Sequence, residues 1–322
     1  MHVFIQIPCF NEEKSISKVL KNLPKNLKGA TKIKIILLDD GSTDNTVSIV
    51  RRNFPYVKII SNSCNLGLAE TFKRGIDYAL SNKADIIVNI DGDNQYKGTD
   101  IERLIKPIIL ENSYGGGGAD YTIGERQFKN LKSFSLIKKF LHYSGNLFLK
   151  KVTGIKTNDV TSGFRAFNRN SASKIFYTNN FTYTIESLFF FSDFKLSFKA
   201  IKIKTNKPER QSRLFKNNFE YIIKTAFIII KVLMMKKPFQ IFSFISLIFF
   251  VSGFLFCYDW YTLWILNNKN FNVTPKLLVG TTFLIFSMLS LMISILSFLS
   301  RKILHINIEI LSKIKLKKNN AN

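Results

Sequence analysis

Two rhythms of apolar and polar positions alternate along the first ninety residues. Val3 to Ile7, Lys32 to Leu38, Val57 to Ser61 and Ala84 to Ile90 are short apolar or β-branched runs bounded by polar turns, which predicts strands. Between them Glu12 to Leu23, Ser42 to Asn53 and Leu68 to Ser81 repeat apolar residues at helical spacing. Strand and helix in alternation predict a mostly parallel α/β sheet with helices on both faces, and ligands at the carboxyl ends of its strands. The run Gly115 to Gly118 is too glycine-dense for regular structure and reads as a loop tip.

The pattern changes in the last hundred residues, where apolar blocks are separated by Lys and Arg. Phe239 to Tyr258 is 20 residues without a formal charge and Leu277 to Ser300 is 24. Each is long enough to cross about 30 Å of hydrocarbon as a helix. These runs predict two membrane helices at about 239–264 and 277–300. Lys236 and Lys237 precede the pair and Arg301 and Lys302 follow it, while only Lys269 and Lys276 lie between. The positive-inside rule therefore places both termini in the cytoplasm of a multi-pass cell-membrane protein. Tyr258, Trp260, Tyr261 and Trp264 fit the headgroup layer at the exit of the first span. Ahead of the spans, Phe219, Ile222, Ile223, Ala226, Phe227 and Ile230 form an apolar stripe that predicts an interfacial helix. The expected organisation is a catalytic domain at 1–215, a juxtamembrane amphipathic helix at 216–237, the two spans within 238–302 and a basic cytoplasmic tail at 303–322.

Charge narrows the partners. There are 47 Lys plus Arg against 22 Asp plus Glu, a formal net charge of +25, which points to an anionic partner. The basic residues cluster around the apolar blocks, and no helix-turn-helix, RRM or zinc module is visible, so an anionic membrane is expected and nucleic acid is not. Three scattered cysteines, Cys9, Cys64 and Cys257, make no disulfide framework, and three histidines make no Cys/His metal cluster. The first residues lack the order of a signal peptide and are expected to belong to the fold.

Three predicted strands end in acidic turns: Pro8-Cys9-Phe10-Asn11-Glu12-Glu13, Asp39-Asp40-Gly41-Ser42-Thr43-Asp44 and Asp91-Gly92-Asp93-Asn94-Gln95. One such turn is commonly a helix cap. Three on one sheet edge repel unless a positive charge sits among them, and Asp91 and Asp93 can both offer oxygen to one hard ion such as Mg²⁺ or Mn²⁺.

With IPCFNEE, LLDDGSTDNT, DGDNQ, IGER (Ile123 to Arg126) and DVTSGFRAF (Asp159 to Phe167) in this order, the chain resembles the family 2 inverting glycosyltransferases of GT-A fold. Within them it is most similar to the polyprenyl-phosphate (dolichol-phosphate) mannose or glucose synthases, over about residues 1 to 215. The resemblance implies a nucleotide-sugar pocket walled by Pro8, Asn11, Glu12, Asp39, Asp40 and Asp91. It implies a metal held by Asp91 and Asp93, with Gln95 as a further oxygen ligand. It assigns Arg126 and Arg165, with Arg210 and Arg213, to the acceptor phosphate, which guanidinium binds in bidentate fashion. Asp93 and Arg165 are then catalytic, and Asp159 and Glu186 are the candidates for a base.

The implied reaction moves a hexose from a UDP- or GDP-sugar to a polyprenyl phosphate, undecaprenyl or dolichyl, with inversion. A phosphate acceptor is already ionised near neutral pH, whereas a hydroxyl on a lipid-linked saccharide or other envelope glycan, the alternative acceptor, would need a base. Two departures from the family pattern stand out: the glycine-rich loop Tyr114 to Gly118 and Glu125 in place of a small residue. Other classes fit less well. A processive polysaccharide synthase would carry a QxxRW-type motif, which Gln211-Ser212-Arg213-Leu214 does not match. A dinucleotide oxidoreductase would place GxGxxG after the first strand. A membrane-anchored binding protein that had lost activity would not need Asp91, Asp93 and Arg165 intact.

Overall fold

The computed structural model describes residues 1–114, 118–127, 153–176, 183–206, 236–266 and 274–317, together with positions 145, 147, 150, 151, 227, 230 and 234. Arg210, Arg213, the glycine run at 115–117 and nearly all of the expected interfacial helix lie outside the described residues.

Seven described strands form one sheet: β1 (His2–Cys9), β2 (Lys32–Asp39), β3 (Lys58–Ser61), β4 (Ile86–Asn89), β5 (Tyr121–Arg126), β6 (Arg165–Asn168) and β7 (Phe198–Ile203). Their order is β3-β2-β1-β4-β6-β5-β7. β1 to β4 are mutually parallel, as predicted, so the turns after β1, β2 and β4 leave the sheet on one edge. The strand order reverses at β1, which has β2 on one side and β4 on the other, and that is where α/β sheets open a crevice. β6 runs antiparallel to both β4 and β5, and β7 runs parallel to β5.

The helices of this part are α1 (Ile16–Lys21), α2 (Thr46–Asn53), α3 (Leu68–Ser81), α4 (Ile101–Tyr114), α5 (Arg169–Ser173) and α6 (Thr184–Asp193). α3 has the predicted bounds. α1 and α2 begin four residues later than the periodicity suggests, because residues 12–15 and 42–45 form turns that bond to each other: Asn11 N donates to Ser42 Oγ at 2.9 Å and Glu12 N to Thr46 Oγ1 at 2.8 Å.

Strand alternation sorts β1 into two faces. Val3, Ile5 and Ile7 join Ile16, Val19, Leu20, Ile101 and Leu104 in the main apolar core. The opposite face carries Phe4 and Gln6, and lies under α3. There Gly75 lets the helix close on the sheet: a Cβ at that position would stand 2.3 Å from Gln6 Oε1 and 2.3 Å from Leu38 Cδ1.

The chain divides into two compact units, one of Met1–Thr225 with the residues from Ile308 onward and one of Ala226–Asn307. Two helices are long and apolar enough to cross a membrane, α7 (Pro238–Leu266) and α8 (Thr274–Lys317). Within the second unit they meet along small residues: Ser243 Oγ lies 2.9 Å from Ser294 Oγ, Ser246 Oγ donates to Ser287 O at 2.8 Å, and a Cβ on Gly253 would fall 2.9 Å from Gly280 O. Such seams let helix backbones approach closely. α8 continues well past Ser300, and residues expected as a tail from 303 are helical to Lys317. Its last turns belong to the first unit, where Ser312 Oγ sits 2.6 Å from Ser173 Oγ and Lys315 Nζ donates to Asp77 Oδ1 at 2.7 Å.

Gly75→Val is expected to lower stability by about 1–3 kcal/mol, the usual cost of overpacking, seen as a lower thermal unfolding midpoint in detergent. An unchanged midpoint would show that α3 does not need this close approach.

Candidate active site

The turns after β1 and β2 are built on each other. β1 and β2 run in register to Cys9 and Asp39, and Asp40 N donates to Cys9 O at 2.9 Å. Pro8 is buried at the end of β1. Asn11 adopts φ 54°, a left-handed conformation that asparagine tolerates, and its Oδ1 accepts from Thr43 N at 2.8 Å. Glu12 is buried, accepts from Ser15 Oγ at 2.9 Å, and through Ser15 reaches the third turn, where Ser15 Oγ also bonds Gly92 O at 2.8 Å. Asp44 is pushed up by burial but held below the usual carboxylate range by hydrogen bonds from Thr46 and Glu13.

Asp39 and Asp40 differ. Asp39 accepts from Ser42 N at 3.0 Å through one oxygen. Asp40 accepts from Asn62 Nδ2 and Leu66 N, each at 2.8 Å, and from Gly67 N at 3.0 Å. These donors lead into α3, so Asp40 shapes residues 62–67 at a helix N-terminus that favours negative charge. Both of its oxygens are thus engaged by the chain, one of them through a single bond.

Asp91 and Asp93 flank Gly92 on the turn after β4. Burial, and next the charge of Asp93, raise the Asp91 carboxyl to about 7, although Arg126 and Arg165 pull it down. Asp93 Oδ1 accepts from Gln95 N at 3.0 Å, and Asn94 takes φ 58°. Among the described residues no group of three His, Cys, Asp or Glu side chains could hold a metal on its own. Two close carboxylates, one of them driven toward protonation by the other, still suit an ion whose remaining ligands are water and phosphate oxygens, the usual Mg²⁺ arrangement. The donor set therefore fits a hard divalent cation.

The two motif arginines are occupied by protein. Arg126 Nε donates to Asp159 Oδ2 at 2.7 Å and Nη2 to Asp159 Oδ1 at 3.0 Å, a bidentate pair in which Asp159 is fully buried. Burial disfavours the Arg126 charge, and Asp159 outweighs it, so the guanidinium is held charged. Nη1 reaches Gln95 Oε1 at 3.2 Å, and the guanidinium lies over the Tyr96 ring. Arg165 has no exposed surface. Its Nε donates to Ser162 O at 2.8 Å, Nη1 to Thr184 O at 2.8 Å and Ser187 Oγ at 3.0 Å, and Nη2 to Val160 O at 2.7 Å.

These contacts show what holds the expected acceptor-side residues in place. Arg165 fastens residues 160–162 to α6. Arg126 spends its donors on Asp159, Gln95 and Thr161. Both oxygens of Asp159 accept hydrogen bonds, from Arg126 and, at Oδ1, from Thr161 as well. Glu186 is buried in the first turn of α6, the helix that Arg165 grips. Gln95 keeps one lone pair for a cation beside its bond from Arg126.

Sequence reasoning missed the role of Glu125, which appeared only as a departure from the family pattern. Its carboxylate accepts from Asn158 N at 3.1 Å and from the Asn158 side chain, next to Asp159. β5 thus holds the 157–161 segment with an anion and a cation side by side.

Residues 4–176 match the sequence model described as Glycosyl transferase family 2. The chain belongs to that family. This family 2 glycosyltransferase is 33% identical over 195 residues to the UDP-N-acetylglucosamine--dolichyl-phosphate N-acetylglucosaminyltransferase of Methanococcus voltae, covering 54% of this chain and 71% of that one. It is 22% identical over 175 residues to the polyprenol monophosphomannose synthase of Mycolicibacterium smegmatis, covering 52% and 62%. Among solved structures it resembles glucosyl-3-phosphoglycerate synthase from Mycobacterium tuberculosis, with a TM-score of 0.54 and 16% identity over 73% of this chain and 79% of that one. That likeness shows the fold, GT-A.

Asp159→Asn leaves Arg126 buried without its counter-charge and is expected to cost about 3 kcal/mol of stability, read by thermal unfolding. A loss under about 1 kcal/mol would mean that the pair is solvated in solution.

Proposed function

We propose that this glycosyltransferase moves a hexose from a UDP- or GDP-sugar to a polyprenyl phosphate, undecaprenyl or dolichyl, at the membrane, by an inverting displacement assisted by Mg²⁺ or Mn²⁺. The observation that carries this reading is the Asp91 and Asp93 pair at the β1/β4 switch point, in a chain that also has two bilayer-length apolar helices. Two relatives have a dolichyl phosphate or a polyprenol in their names, and the structurally similar synthase was solved with Mn²⁺ and UDP.

In this reading Asp91 and Asp93, with Gln95, hold the cation, which when bound offsets the charge on the leaving nucleotide diphosphate. The chain's own groups organise the rest. Pro8, Asn11, Glu12 and Asp39 line the donor side at the ends of β1 and β2, and Asp40 sets the 62–67 segment beside them. Arg126 holds Gln95 and Tyr96 against the acidic turn. An ionised phosphate oxygen can attack the anomeric carbon without a base, which agrees with the engagement of Asp159 by Arg126. A hydroxyl acceptor would leave Glu186 as the only carboxylate of the two expected bases.

Full-length protein in detergent, given radiolabelled nucleotide sugars, Mn²⁺ and polyprenyl phosphate, is expected to form a mild-acid-labile glycolipid, and Asp93→Ala to reduce its formation at least about 100-fold. Label recovered only in an acid-stable product would sink the phosphate-acceptor reading. Because Asp91 titrates near 7 and a cation needs its ionised form, Mn²⁺ affinity should rise by about tenfold per pH unit below 7 and level off above it. A flat profile between pH 5.5 and 8.5 would mean that Asp91 is ionised throughout that range and is not raised by burial and Asp93.

A further inference from the structure

The floor of the Asp91 turn is polar where packing alone would call for hydrocarbon. Asn89 ends β4 two residues before Asp91, and its side chain has no exposed surface. It stands in register with Gln6 of β1, which is buried equally deeply, and accepts from Gln6 Nε2 at 3.0 Å. Asn89 Nδ2 donates to Gly163 O at 2.8 Å and to Tyr183 Oη at 2.9 Å, and Tyr183 Oη in turn donates to Gly163 O at 3.3 Å. The Tyr183 ring is clamped by Phe72 of α3, stacked at 3.7 Å and 4°. On the other side of the same residue, Gly163 N donates to Tyr96 Oη at 3.3 Å.

Gly163 is therefore held through both its N–H and its C=O, and what it touches is the Asp91 carboxylate. A Cβ at Gly163 would stand 2.7 Å from Asp91 Oδ2 and 2.8 Å from Oδ1, so the bare backbone is the wall on which that carboxylate rests. Gln6 Oε1 has no hydrogen-bond partner among the described residues, a cost that an apolar pair at these positions would avoid.

We propose that Asn89 and Tyr183 are positioning residues: by fixing the Gly163 carbonyl from beneath, they set the orientation of the Asp91 carboxylate toward its cation. The inference rests on the reading of Asp91 and Asp93 as cation ligands. Groups that orient a metal ligand typically change metal affinity by 10–100-fold when removed.

The test uses full-length protein in detergent and Mn²⁺ alone, with free Mn²⁺ followed by its electron paramagnetic resonance signal. Tyr183→Phe removes one oxygen and keeps the ring stacked on Phe72, and Asn89→Ser, a smaller polar residue, withdraws the amide from the other end. Both are expected to weaken Mn²⁺ binding about tenfold, with far-ultraviolet circular dichroism unchanged. Gly163→Ala, which presses directly on Asp91 and leaves the relay intact, should weaken Mn²⁺ binding as well, and it gives a readout if Asn89→Ser does not fold. Mn²⁺ affinity within twofold of the parent in folded Tyr183→Phe overturns the positioning role. Asp93→Ala is the control: if it too retains Mn²⁺ binding, the cation reading itself fails.

Discussion

Carboxylates crowded onto one edge of a parallel sheet repel each other, and most of the polar architecture of the catalytic unit answers that repulsion. The parallel pairing of β1, β2 and β4 brings Glu12, Asp39, Asp40, Asp91 and Asp93 to the same edge. Each is handled differently. Asp40 is bonded by backbone N–H groups, Glu12 by Ser15, and Asp91 is left raised toward neutrality by burial and by Asp93. Arg126 and Arg165 supply positive potential from within the protein, where pairing and carbonyl contacts hold them still. The pair at Asp91 and Asp93 is the part of this edge that a hard divalent cation would neutralise.

The front of the fold was readable because its signals are local. Period-two strands bounded by polar turns, and helix α3 with its regular apolar spacing, need no information from elsewhere in the chain. β5 and β6 are not legible as strands, since Tyr121 to Glu125 and Arg165 to Phe167 are buried on both sides and show no alternation, while β7 is a partly exposed edge strand carrying Lys199 and Lys202. Their pairing also places residues far apart in sequence side by side, with β6 antiparallel to its two neighbours.

The candidate site divides along the same line. Carboxylates in turns at strand ends were legible, because the turn itself puts them at the crevice. The protein partners of the arginines were not. Whether a guanidinium meets a ligand or a carbonyl depends on partners such as Thr184 and Ser187 for Arg165, which only α6 brings within reach. The donors to Asp40 are hidden from the sequence for a related reason: the N–H groups of Leu66 and Gly67 lie beyond β3.

The last turns of α8 have a consequence for the order in which the protein can be made. Ser312 and Ser173 are 139 positions apart in the chain, yet they lie together in a buried contact of the catalytic unit. The whole apolar hairpin is synthesised between them. A nascent chain can assemble the sheet early, but this contact has to wait until both apolar helices and Ser312 itself have been made. That contact can therefore form only after the two long apolar helices have been synthesised.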